Sequence, residues 1–172
     1  VTSEYNGNTF EIECTLNLPF EVSADYASAK WYNMTIRSDG EKGVAKSATT
    51  PYPNGIVDIF SDDAKWAFMG NPFDGIKVLN KAAGNGYTLG VDGSNVIMTE
   101  GDNAWVIEEG VGGFLLLQAK GTDKYVHDYQ SSLKIWNDSR AKTDAGSAFK
   151  AYDVEAYSEF GTPLYSSSAM EN

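Results

Sequence analysis

Between Lys65 and Gly110 the chain reads KWAFMGNPFDGIKVLNKAAGNGYTLGVDGSNVIMTEGDNAWVIEEG, a stretch that contains its own opening twice. Lys65-Trp66-Ala67-Phe68 follows the acidic pair Asp62 and Asp63, and Ala104-Trp105-Val106-Ile107 follows Glu100 and Asp102. A third, degenerate copy lies in KTDAGSAFKAYDV, residues 142–154, where Phe149 stands at the tryptophan position. A motif that returns about every forty residues marks a fold built from repeated units.

Each unit carries the same order of short apolar segments. The first segments are KWYNMTIRS (30–38), DGIKVLNKA (74–82) and GGFLLLQAK (112–120). The second are GVAKS, GYTLGVDG and KYVHDYQ; the third are GIVDIFS, NVIMTEG and LKIWND. The aromatic motif closes each unit as its fourth strand. Turn residues such as Asn54-Gly55, Asn85-Gly86 and Asp92-Gly93 separate the segments, and alternation in IKVLN and YTLGV has the period of a strand. Three four-stranded units are too few to close a propeller, whereas a barrel capped by hairpins leaves no open edge. The fold class expected is therefore all-β, a β-trefoil over 18–154 with units at about 30–72, 73–111 and 112–154. Each recurring aromatic is expected to be a core wedge. Residues 1–17 read as an extension containing one strand, NTFEIECTLNLPF, and 155–172 as a second extension with a frayed Ser-rich end.

The bulk properties fit this reading. The chain has 172 residues, 42% hydrophobic and 13% aromatic, and a chain this long buries roughly 70% of its unfolded surface. The net charge of −11 disfavours nucleic acid and heparin-like polymers as partners. Cys14 is the only cysteine, so no disulfide forms within the chain. No apolar run is long enough to span a membrane, and no signal segment opens the sequence.

The stretches LPFEVSADYASAKWYNMTIRS, DDAKWAFMGNPFDGIKVLNKAAGNGYTLGVDGSNVIMTEGDNAWVI and GFLLLQAKGTDKYVHDYQSSLKIWNDSRAKTDAGSAFKAYDV resemble ricin-type β-trefoil domains, in particular a divergent group found on secreted proteins of anaerobic gut bacteria. That resemblance implies a secreted or cell-surface protein, other domains in a longer chain, and a glycan as partner. The Gln-x-Trp signature of the sugar-binding lectins is replaced here by Asn103-Ala104-Trp105 and Ser147-Ala148-Phe149, and their cysteines are missing.

Catalytic and metal motifs are not found. His127 is the only histidine, and no strand–turn–helix nucleophile context accompanies Ser131 or Ser132. DGSNV and DGE are too short for a calcium loop, and AAGNGYTLG lacks the Lys-Ser/Thr ending of a phosphate loop. No catalytic residue, metal or cofactor is expected. The third unit stands apart. From Trp136 to Phe149 the chain runs through the long polar loop NDSRAKTDAG, whereas Met98 to Trp105 and Phe60 to Trp66 are much shorter. By resemblance to the lectins, Trp136 would stack a sugar, His127 or Asp128 would stand at the acid position, and Lys134 and Asp144 would supply the remaining polar contacts. An indole matches the apolar C–H face of a sugar, and its hydroxyls need directed donors and acceptors. The expected function is a non-catalytic carbohydrate-binding module; the alternative is a structural or protein-interaction trefoil without a sugar site.

Overall fold

The computed structural model describes residues 2–5, 8–11, 18–55 and 57–154. The strands, in chain order, are β1 (Thr2–Tyr5), β2 (Asn8–Glu11), β3 (Val22–Ser23), β4 (Tyr32–Ile36), β5 (Lys42–Ser47), β6 (Thr50–Asn54), β7 (Lys65–Asn71), β8 (Gly75–Asn80), β9 (Tyr87–Asp92), β10 (Asn95–Glu100), β11 (Trp105–Glu109), β12 (Leu115–Ala119), β13 (Tyr125–Tyr129), β14 (Ser132–Trp136) and β15 (Phe149–Asp153). Six of them close a ring of antiparallel pairs: β4–β7, β7–β8, β8–β11, β11–β12, β12–β15 and β15–β4. The hairpins β5–β6, β9–β10 and β13–β14 cap one end. A six-stranded barrel with three hairpins is a β-trefoil.

The registers repeat with threefold pseudo-symmetry. Trp66 pairs with Tyr32 and Asn80, Trp105 with Ile76 and Ala119, and Phe149 with Leu115 and Ile36. Each aromatic thus faces the same position of its own first strand and the residue four further on in the adjacent unit's first strand. All three are buried, at 1%, 1% and 3% exposure, in one cluster with Ile36, Val78, Leu89 and Val126. The indole N–H groups explain why tryptophan suits two of these places. Trp66 Nε1 donates to Val44 O, and Trp105 Nε1 to Leu89 O, both at 2.8 Å. A buried N–H needs such an acceptor, and here the bond ties each hairpin to its barrel strand. Phe149 has no N–H to offer, so the third hairpin lacks this tie.

A second tie is also missing there. The tip of the first hairpin accepts from β10, Met98 N to Thr49 O at 2.8 Å, and the tip of the second accepts from β14, Ile135 N to Ser94 O at 2.9 Å. Met98 and Ile135 lie opposite Leu89 and Val126; the residue in that register in the first unit is Pro53, opposite Val44. Proline has no N–H. The third hairpin tip therefore cannot receive the bond that would complete the cycle.

Two expectations are corrected. The third strand of the first unit is Thr50–Asn54, not GIVDIFS. Its nitrogens at Pro51 and Pro53 point away from β5, where proline forfeits no ladder bond. Val57 and Ile59 instead leave the sheet and pack with Ala45 and Ala64. The N-terminal stretch forms a separate two-stranded antiparallel sheet, β1–β2, rather than one strand. β3 adds to β7 in parallel. The 155–172 extension lies outside the described residues. No helix among the described residues is long and apolar enough to cross a membrane.

Trp105→Ala should destabilise the fold by about 3–5 kcal/mol in denaturant titration, the cost of emptying a close-packed aromatic site. Trp105→Phe, which keeps the wedge but orphans the Leu89 carbonyl, should cost about 1–2 kcal/mol.

Candidate functional site

Successive residues of a strand face opposite sides, and this decides what β13 presents. Val126 and Asp128 turn inward; Tyr125, His127 and Tyr129 turn outward. Their partners on β14 are Trp136, Lys134 and Ser132 respectively, so the outer face of the hairpin carries Tyr125/Trp136, His127/Lys134 and Tyr129/Ser132 as directly opposed pairs. The loop 137–148 folds over one end of this face. Ala141 packs on Tyr125, Leu116 and Trp136. Asp138 and Asp144 each cap a short 3-10 turn, Ser139–Thr143 and Ala145–Ser147, by accepting from Arg140 N and Gly146 N. Arg37 N and Ser38 N donate to Ala148 O at 2.9 Å and Ala145 O at 3.2 Å, fixing the base of the loop to the first unit.

Between hairpin and loop lies a cleft with a volume of about 480 Å³. Trp136, His127, Lys134 and Asp144 line it, together with Tyr129 at the end of β13 and Ser94 at the tip of the second hairpin. Trp136 is half-buried: it packs on the Tyr125–Leu116–Ala141 cluster, His127 meets it edge-on at 4.7 Å, and the Arg140 guanidinium lies 5.7 Å from its ring centre. Arg140 is itself held by Asp138 at 2.7 Å and 3.0 Å. Tyr129 is 56% exposed. Lys134 Nζ donates to Asn95 Oδ1 of the second hairpin. His127 Nδ1 lies 3.0 Å from Ser147 Oγ and 3.8 Å from Asp144 Oδ1. Gly146 permits this approach, because a Cβ there would fall 2.6 Å from His127 Cε1.

The same face is filled in the other two units. In the first, the positions of Tyr125 and His127 are held by Gly43 and Ala45, and Val57 sits directly on Gly43. The loop 55–64 is nearly as long as 137–148, but it turns Val57, Ile59 and Ala64 down onto the face against Ala45, leaving about 150 Å³. In the second unit those positions are Thr88 and Gly90. Asn103 lies against Gly90 and donates to Thr88 Oγ1 at 3.0 Å. What sets the third loop apart is therefore that the small Ala141 packs down from it onto the hairpin face, where the first loop places Val57 and Ile59.

Four of the five residues singled out from sequence, Trp136, His127, Lys134 and Asp144, meet at the cleft. Asp128 does not. It is 1% exposed on the opposite side of β13, where Arg37 Nε and Lys42 Nζ donate to its Oδ2 at 2.8 Å and 2.9 Å. Burial pushes its pKa up, but the hydrogen bonds and charges of Arg37 and Lys42 outweigh that and hold it below the usual value. Asp128 is thus an anchor for the hairpin that lacks the two other ties. Tyr129 was legible as the residue two beyond His127 on the same strand face. Ser94, Asn95 and Ser147 come from other elements, and no spacing within the hairpin points to them.

Burial lowers the His127 pKa below 6.5; Asp144 and Asp128 oppose this and Arg37 reinforces it. The ring is neutral at neutral pH.

Neither protein-family models nor curated proteins match this chain. Solved structures do. A ricin B-like lectin of Macrolepiota procera, in complex with lactose, superposes with a TM-score of 0.61 at 10% identity over 77% of this chain and 99% of the lectin. SeviL bound to the asialo-GM1 saccharide gives 0.57 at 14% identity over 73% and 98%. An endo-β-galactosidase of Clostridium perfringens that releases GlcNAcα1-4Gal gives 0.60 at 15% identity over 72% of this chain, which spans 32% of that enzyme's length. At such identities the likeness is one of fold: the chain has the ricin-type β-trefoil fold.

Two outcomes follow. Asp128→Ala, which leaves Lys42 without a carboxylate and Arg37 with only the exposed Asp39 at 3.6 Å, should cost roughly 3 kcal/mol in chemical denaturation, the low end for a broken buried pair because both cations are partly solvated. For His127, both folded and unfolded chains are neutral well above pH 6.5; as pH falls below it the unfolded chain takes up a proton that the folded chain resists, so stability declines. The denaturation midpoint of the parent should drop more between pH 7 and pH 5.5 than that of His127→Gln.

Proposed function

We propose that this chain is a non-catalytic carbohydrate-binding domain whose sugar site is the third-unit cleft, with Trp136 and Tyr129 as aromatic surfaces and His127, Lys134 and Asp144 as polar partners. The observation that carries the reading is the contrast among the three outer hairpin faces. Two are filled by loop side chains lying on glycines, while the third holds an open cleft where aromatic rings and hydrogen-bonding groups converge. A sugar needs this combination, an apolar surface for its C–H face and directed groups for its hydroxyls. The solved structures support it: two lectins of the same fold are complexed with saccharides, and a carbohydrate-active enzyme contains the fold as a part. In the same reading the domain belongs to a secreted or surface protein and holds its other domains near glycans, where added contacts raise effective concentration.

One observation favours the alternative, a spacer without a sugar site. Trp136 is half-buried against Tyr125, Leu116 and Ala141, so its indole also serves the packing of the loop. The two readings separate experimentally through Tyr129, which has little packing role.

On a glycan array followed by titration, the parent domain should retain an oligosaccharide with a Kd of about 0.1–1 mM, or about 4–5.5 kcal/mol. Tyr129→Ala should weaken retention several-fold with an unchanged melting temperature. Trp136→Ala should abolish retention and lower stability by about 1–3 kcal/mol, less than a fully buried aromatic would. A parent domain that retains no glycan, with Tyr129→Ala silent, establishes the spacer.

A further inference from the structure

The cleft contains a pair of donors, His127 Nε2 and Lys134 Nζ, that no carboxylate among the described residues satisfies. His127 and Lys134 are directly opposed on the outer face of β13–β14, a placement that brings their side chains alongside one another. The protonation of His127 follows from Ser147. Ser147 is fully buried, and among the described residues the only partner of its hydroxyl is His127 Nδ1 at 3.0 Å. If Nδ1 carried the proton and donated to Oγ, the buried hydroxyl hydrogen would have no acceptor, which native interiors avoid. The Ser147 hydroxyl therefore donates to Nδ1, and the neutral ring carries its proton on Nε2. Nε2 has no partner among the described residues, nor is it sealed among the buried unsatisfied atoms. It is a donor open to the cleft.

Lys134 supplies the second donor and a charge. Its ammonium has three N–H groups; the partner it makes is the neutral amide oxygen of Asn95. No carboxylate of the described residues lies within ion-pair distance of it; Lys30, Lys42, Lys46, Lys65, Lys77, Lys81 and Lys142 each have one, and of the lysines without one, Lys134 is the lysine that lines the cleft. Asp144, the carboxylate in the cleft, approaches His127 from its Nδ1 edge and accepts from Gly146 N at 2.8 Å.

Resting on the carbohydrate-binding reading, we propose that the ligand is an acidic sugar whose carboxylate sits between His127 Nε2–H and Lys134 Nζ, with Ser147 as the positioning residue that fixes the histidine tautomer. A carboxylate has two oxygens for the two donors, and ionised acceptors make the stronger hydrogen bonds. A neutral hydroxyl would leave the Lys134 charge uncompensated. Uronic and sialic acids share this chemistry.

The test titrates the intact domain with a galacturonate trisaccharide, its carboxyl-reduced galactose counterpart and a sialylated trisaccharide, at low and high salt. One of the two acids should bind at least about tenfold more tightly than the neutral sugar, with the preference shrinking as salt screens it. Lys134→Met should remove the preference and Lys134→Arg should restore most of it, with melting temperatures unchanged. The imidazole ¹⁵N shifts of the parent should show the proton on Nε2; Ser147→Ala should mix the tautomers and weaken acid binding several-fold. Neutral sugar bound as well as both acids, a preference that survives Lys134→Met, or a proton found on Nδ1 overturns this inference and leaves carbohydrate binding standing. If none of the three sugars binds and the array is blank, both readings fall together.

Discussion

The hydrogen bond from a buried indole to a hairpin carbonyl sets the architecture. Trp66 to Val44 and Trp105 to Leu89 each join a barrel strand to the hairpin that caps it, while the ring fills the shared core. Two functions in one side chain are why the barrel and its caps hold one register: a hydrophobic wedge alone could rotate, and a hydrogen bond alone would not exclude water. The third unit keeps the wedge as Phe149 but gives up the bond. Pro53 removes the tip contact that would otherwise tie the same hairpin to the first unit. The β13–β14 hairpin is then held by a different device, the inward carboxylate of Asp128 between Arg37 and Lys42.

That exchange has a consequence for the outer face. Arg37 sits at the end of β4 with a left-handed backbone, φ 83°, an uncommon conformation for a side-chain-bearing residue. From there its backbone holds Ala148 and its side chain holds Asp128, so one residue fixes both walls of the cleft. The hairpin and the 137–148 loop are positioned by charge and backbone bonds from a neighbouring unit, which frees the loop from having to fill the space with apolar side chains. The first unit shows the opposite solution, with Val57 and Ile59 folded down onto Gly43 and Ala45.

The fold was legible because its signal is periodic: Trp66, Trp105 and Phe149 stand at one register position, and the turns between strands carry Gly, Asn and Asp. The first unit's third strand was misread because TPYPN carries two prolines that ordinarily argue against a strand. Only the missing partner on the outer side of β6 makes them harmless. The site was partly legible. Trp136, His127, Lys134 and Asp144 lie within one unit, and period-two alternation relates the strand residues. The same alternation separates His127 from Asp128, but sequence alone does not say which of the two faces inward; the cations that decide it, Arg37 and Lys42, are about ninety residues away in the chain. Ser147 and Asn95 were invisible for the same reason. Their roles are to hold another side chain, and such partners are set by tertiary contact rather than by local pattern.

In the proposed reading three of the four tryptophans divide into two structural wedges, Trp66 and Trp105, and one ligand-facing ring, Trp136, while Trp31 packs edge-on against Tyr26 away from the cleft. The indole N–H signals report on this directly. In a ¹H–¹⁵N correlation spectrum recorded through a saccharide titration, the Trp136 indole signal should move with ligand, while those of Trp66 and Trp105 stay fixed and exchange slowly with solvent. Movement of Trp66 or Trp105 with Trp136 unchanged would contradict the account, as would rapid solvent exchange of either buried indole.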